Sequence, residues 1–246
     1  MFRNRRLKES GFYRIIDSVM TMLSLRHPFI SVLVGSGPSY GGGQQFSDNR
    51  MISRCGCGVI ATADTLLYLD RYHLHGEIPF LRELSASSPL PREAYNELIR
   101  RLRRRYFPMI PYAGINGIML MVGMQRFFRD NSMPYTAKWC TSRSRLWPRI
   151  EEMLRADLPV IMSVGPNFPI VWGNKRACFY VNRREEGLVP AANVKAHYFT
   201  VTGMDDKWLR ISSWGRLYYL NRLEFEAYVT EHSASFISNI LYIQKK

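Results

Sequence analysis

From residue 158 onward the chain changes its period, and that change limits the folds open to it more than any other feature of its 246 residues. Segments 158–165 (LPVIMSVG), 196–204 (AHYFTVTGM), 207–214 (KWLRISSW) and 215–220 (GRLYYL) are short and rich in Val, Ile, Thr, Tyr and Phe. Turn residues separate them, so they predict strands, and Met-Asp-Asp-Lys at 204–207 predicts a hairpin turn. A helix over 222–232 and a strand over 238–244 close the chain. Ahead of Asp157 the apolar residues recur at helical spacing instead, predicting helices over 57–72, 92–107, 115–131 and 144–156. Pro91 opens the second of these, Ser144 is placed to cap the last, and Pro148 falls in that helix's first turn. The 57–72 helix has Val59, Ala63, Leu66 and Leu67 on one side with Ile60 and Ala61 beside them, so it needs burial nearly all round. Helices first and antiparallel strands second predict an α+β fold with segregated layers.

A hydrophobic fraction of 46% and an aromatic fraction of 13% suffice for a sizeable core and exclude a disordered chain. Apolar positions at Tyr13, Ile16, Met20 and Leu23 predict an amphipathic helix over 10–25. Residues 1–28 then read as a basic N-terminal helical extension and 29–246 as the main domain. A strand at 29–34 breaks at the Gly-rich stretch GSGPSYGGG, which no Gly-Lys-Ser/Thr follows, so it is no phosphate cradle. No run of about 18 apolar residues predicts a membrane span, and the N-terminus lacks the continuous apolar core of a signal peptide. Cys55, Cys57, Cys140 and Cys178 are too few for a disulfide scaffold, and no C-x-x-C suggests zinc. Free thiols place the protein in a reducing cytoplasm. The net charge of +14 favours acidic partners. Arg100, Arg101, Arg103, Arg104 and Arg105 form either a solvated helix face or a docking face for an anionic partner. No recognised nucleic-acid motif is present.

Cys57 stands where the buried helix begins. Unpaired N–H groups and the positive dipole end at such a site lower a thiol's pKa, and Gly56 and Gly58 leave the sulfur uncrowded. A reactive Cys57 is therefore expected to alkylate faster than free cysteine at pH 6. Cys55 is too close for an ordinary bridge to Cys57, and it reads with Cys140 and Cys178 as a packing residue. A cysteine nucleophile needs an imidazole. His73 and His75 lie at the far end of the same helix, about 24 Å away. His27 precedes a proline and His232 follows the last helix. His197, entering the 196–204 strand after the polar stretch PAANVK, remains as the partner.

The blocks CGCGVIATADTLLYL, AHYFTVTGM and LRISSWG together resemble the papain-like cysteine peptidase superfamily. The nearest likeness is to its bacterial branch of double-glycine leader peptidases, and it covers roughly residues 40–243. The resemblance implies a helical half whose central helix carries the cysteine, packed on a small antiparallel sheet or half-barrel. It implies Cys57 as nucleophile, His197 as general base and later acid, and a peptide or protein substrate without metal or organic cofactor. It also implies a glutamine ahead of the helix as oxyanion donor: Gln44, with Gln45 next and Asp48 and Asn49 nearer the cysteine. Ser212 falls where papain's Asn-Ser-Trp-Gly has its asparagine, which implies that its hydroxyl orients His197 with Trp214 as a shield. Acyl transfer on the same fold, or a binding module that uses the basic face, are the rival expectations.

Overall fold

The computed structural model describes residues 22–246. In chain order the elements are β1 (Leu23–Ser24), β2 (Val32–Val34), β3 (Gly37–Pro38), α1 (Arg50–Cys55), α2 (Cys57–Tyr72), α3 (Arg82–Ser85), β4 (Leu90–Pro91), α4 (Arg92–Arg105) and α5 (Gly117–Asp130). There follow β5 (Tyr135–Trp139), α6 (Leu146–Arg155), β6 (Val160–Val164), β7 (Ala177–Arg183), β8 (Gly187–Val194), β9 (His197–Met204), β10 (Trp208–Ser213), β11 (Arg216–Asn221), α7 (Arg222–His232) and β12 (Ile240–Lys245). The result is an α+β architecture. Among the described residues an antiparallel sheet runs β5-β12-β6-β9-β10-β11-β7-β8, with β1 added to β9 as a ninth strand. β3, β2 and β4 make a separate three-stranded sheet.

The buried helix is as expected. From Gly58 to Asp70 every residue of α2 is buried, and Leu66, Leu67, Tyr68 and Leu69 are fully so. Each such leucine contributes roughly 2 kcal/mol. α2 packs on β9 and β6 on one side and on α4 on the other. It thereby sits between the sheet and the remaining helices, and its first turn faces the start of β9. The Met204–Lys207 turn also forms as expected: Asp205 Oδ1 accepts from Lys207 N at 2.8 Å and Trp208 N at 2.6 Å.

The sheet is larger than a small half-barrel, because four strands join it that were not expected: β1, β5, β7 and β8. β5 alternates cleanly, with Tyr135, Ala137 and Trp139 buried between Thr136 and the exposed Lys138. β7 and β8 form a hairpin turning at Gly187 (φ 73°). PAANVK is thus no loop but mostly β8, and Pro190 is tolerated there because β8 is an edge strand next to a register shift. Ser144 does not cap α6; its hydroxyl pairs with that of Ser142 at 3.0 Å. The helix expected over 10–25 lies outside the described residues except for its end, where Leu23 and Ser24 pair with Met204 and Gly203 as a strand. Among the described residues no helix is long and apolar enough to cross a membrane.

Candidate active site

Asn49 builds the approach to Cys57. Its Oδ1 accepts from Met51 N at 3.1 Å and Ile52 N at 3.2 Å, capping α1. α1 ends at Cys55, Gly56 forms the joint, and Cys57 is the first residue of α2. The first intrahelical bond is Ile60 N to Gly56 O at 2.9 Å, and no side chain caps the helix. The N–H groups of Cys57, Gly58 and Val59 are therefore orphan donors around the sulfur. Gly58 is required here: a Cβ on it would lie 2.6 Å from Ile115 and 3.3 Å from Tyr198. Its bareness lets β9 close down on the first turn of α2.

His197 is the first residue of β9, paired with Val164, and it is buried. Its Nε2 shares a 2.7 Å hydrogen bond with Ser213 Oγ. Its face stacks on Trp214 at 4.3 Å with 21° between the planes, and Phe179 packs against both rings, at 6.3 Å from the imidazole and 5.9 Å from the indole. Trp214 and Gly215, both at positive φ (49° and 69°), are the central pair of the two-residue β10–β11 hairpin. A bulky residue rarely accepts that conformation. Here it is what lays the indole over the imidazole.

Ser212 does not orient the ring. Its hydroxyl donates to Tyr40 O at 2.8 Å, and the neighbouring serine takes the role the resemblance gave it. Cys57, His197, Gln44, Ser212 and Ser213 nevertheless line one small cavity with Gly42, Ile60, Ala61, Asp64, Tyr198, Thr200 and Trp214. Among the described residues no hydrogen bond joins the Cys57 sulfur to the ring, and none is made by His197 Nδ1.

The oxyanion candidates separate. Gln44 reaches the cavity, but its Nε2 donates to Ser53 O at 2.8 Å and its buried Oε1 has no partner. It presents an acceptor where a donor was expected. Gln45 donates instead to Trp214 O at 2.8 Å. Asn49 is spent on α1, and the exposed Asp48 faces Arg92 at 3.5 Å. The orphan N–H groups of α2 are the donors that remain.

Asp64 was missed. It lies seven residues after Cys57, on the same face of α2, and is one of two buried carboxyls in that helix, the other being Asp70. Its place in an all-buried run was the available signal. Burial pushes it up to about 7, against the pull of the Gly42 N–H and the Tyr95 hydroxyl.

Burial also governs the reacting pair. It raises the Cys57 thiol despite the N–H groups of Tyr198, Gly58 and Cys57 itself, and Cys55 adds to the rise. It lowers His197 to about 3. The resting pair is neutral, so the lowering expected from the helix terminus loses to desolvation. At pH 7, iodoacetamide should label Cys57 more slowly than free cysteine, with a rate that climbs as pH rises. Peptide mass spectrometry checks this, and faster labelling than free cysteine at pH 6 would reveal a preformed thiolate.

Neither protein-family models nor curated proteins nor solved structures give a match to this chain. The family resemblance therefore rests on the sequence blocks alone.

Proposed function

We propose that the protein is a papain-like cysteine hydrolase that cleaves a peptide or isopeptide bond through a thioester on Cys57. The observation that carries this is the single cavity shared by a helix-start thiol and an imidazole already held by a hydroxyl and an indole. His197 Nδ1 takes the Cys57 proton as the sulfur attacks the carbonyl carbon. The oxyanion is held by the orphan N–H groups at the start of α2. The C–N bond breaks as His197 returns its proton to the leaving amine. Water then attacks the thioester, giving its proton to His197, and the acid leaves with the thiol restored. With the resting pair neutral, proton transfer accompanies attack instead of preceding it.

A second reading is favoured by Ser213, which carries no charge to stabilise an imidazolium. It makes the chain a catalytically weak module that holds an anionic partner on the arginine face of α4. That face is partly engaged within the molecule: Arg100 pairs with Glu97 at 2.8 Å and Arg105 with Asp130 at 3.6 Å.

A mixed peptide pool digested in oxygen-18 water separates the readings. Wild type is expected to yield new C-termini carrying one heavy oxygen, and Cys57→Ala none. Products that carry added glycinamide in place of the label would mean acyl transfer. No cleavage, with salt-sensitive heparin retention that survives Cys57→Ala, would leave only the binding module.

A further inference from the structure

Residues 40–45 form a strap between the helical half and the sheet, and it is clasped from both sides. On the sheet side Tyr40 N donates to Gly215 O at 2.9 Å, Gly215 N to Gly42 O at 2.8 Å, and Gln45 Nε2 to Trp214 O at 2.8 Å. The Ser212 hydroxyl holds Tyr40 O. On the helix side Gln44 Nε2 reaches Ser53 O on α1, and one carboxyl of α2 makes two further contacts. Asp64 Oδ2 accepts from Gly42 N at 2.8 Å, and Oδ1 accepts from the Tyr95 hydroxyl at 2.7 Å. The fit is close: a Cβ on Gly41 would lie 2.1 Å from Ser212 Oγ and 2.8 Å from Asp64 Oδ2, and one on Gly42 1.8 Å from Tyr95 Oη.

The strap carries Gln44 into the cavity, and its sheet-side bonds end on the turn that holds Ser213 and Trp214 against His197. We propose that Asp64 is a positioning residue that seats this strap against the Cys57–His197 site and makes its closure depend on pH through the neutral range. The proposal rests on the cysteine-hydrolase reading for its effect on chemistry, but not for the closure itself.

The groups facing Asp64 explain the direction. Tyr95 comes from α4, Cys57 from its own helix, His197 from β9 and Ser212 from β10. The cavity lining includes no lysine or arginine. A protonated Asp64 keeps both contacts, accepting from Gly42 and giving its proton to the Tyr95 oxygen. An ionised one is a buried charge without a counter-ion, relieved only when the strap lifts and water enters. Burial places this change at about 7. By linkage the strap is tightest at acid pH, loosens as pH rises toward 7, and stays loose above it.

Hydrogen exchange of the 40–46 segment, as a protection factor corrected for intrinsic rates, is measured at pH 6 and pH 8 for wild type, Asp64→Asn and Asp64→Leu. Labelling of Cys57 by a peptide vinyl sulfone is followed in parallel. Wild-type protection should fall about tenfold between the two pH values, nearly all of it below pH 7, where the closed form still holds the proton that the open form has released. Asp64→Asn, which still accepts from Gly42 but cannot ionise, should keep the pH 6 protection at pH 8 and lose the matching break in the labelling profile. Asp64→Leu should be unprotected at both. If Asp64→Leu fails to fold, the Asp64→Asn comparison alone decides. Identical protection and labelling profiles in wild type and Asp64→Asn would overturn the proposal and leave the hydrolase reading standing. Asp64-dependent protection with no Cys57 adduct at any pH would sink the hydrolase reading and keep the anchor.

Discussion

Replacing His197 by alanine is expected to slow nucleophilic attack by Cys57 about 10³-fold, within the range a positioned general base supplies. The resting thiol is protonated because burial raises it, so without an imidazole nothing in the cavity removes its proton. Ser213→Ala should cost about tenfold, the worth of the one hydrogen bond that holds Nε2. Ser212→Ala should leave ring orientation intact and loosen only the Tyr40 contact. Pseudo-first-order adduct formation with a peptide vinyl sulfone reads all three, with circular dichroism confirming the fold. Labelling of His197→Ala at the wild-type rate would remove the imidazole from the chemistry. Slowing by Ser212→Ala alone would reverse the roles of the two serines.

The second large effect is on stability, where two buried groups oppose each other. His197 is lowered from 6.5 to about 3 in the folded protein. It contributes stability that is fully present above 6.5 and lost as pH falls toward 3. Asp64 is raised from 3.8 to about 7. It contributes stability that is present below 3.8 and lost as pH rises toward 7. Between about pH 4 and 6.5 the unfolded chain holds a proton on His197 and none on Asp64, and the folded chain the reverse. The proton counts match, so the pair gives no slope. Each single variant exposes the other. His197→Ala should lose about 1.4 kcal/mol per pH unit relative to wild type across this window, and Asp64→Asn should gain about as much. Urea unfolding at pH 4.5 and 6.5 measures both. Variants that keep the wild-type slope would mean that neither group is buried in the form described.

The helix bearing Cys57 and the strand bearing His197 were legible because burial writes itself into composition. A helix buried from Gly58 to Asp70 and mostly apolar, and a Tyr-Phe-Thr-Val strand, leave few alternatives. The choice between Ser212 and Ser213 was not legible. Adjacent strand residues point to opposite faces, and which serine meets the ring depends on how β9 lies against β10, a register broken by an extra β9 residue opposite the Arg210–Ile211 step. β8 was hidden by Pro190, whose edge position only the finished sheet reveals. The cap expected from Ser144 failed because its hydroxyl found Ser142 instead of the backbone. Gln44 sits at the cavity, but the direction of its amide depends on Ser53, a contact that no spacing rule contains. Asp64 was visible as an anomaly, a carboxyl where only apolar groups belong, yet its partners Gly42 and Tyr95 come from 22 and 31 residues away.

Leu23 pairs with Met204, at the opposite end of β9 from His197. Seven residue steps along a strand separate them, about 23 Å. A fluorophore carried at Ser24 would thus report on the far end of β9 without crowding the cavity at His197.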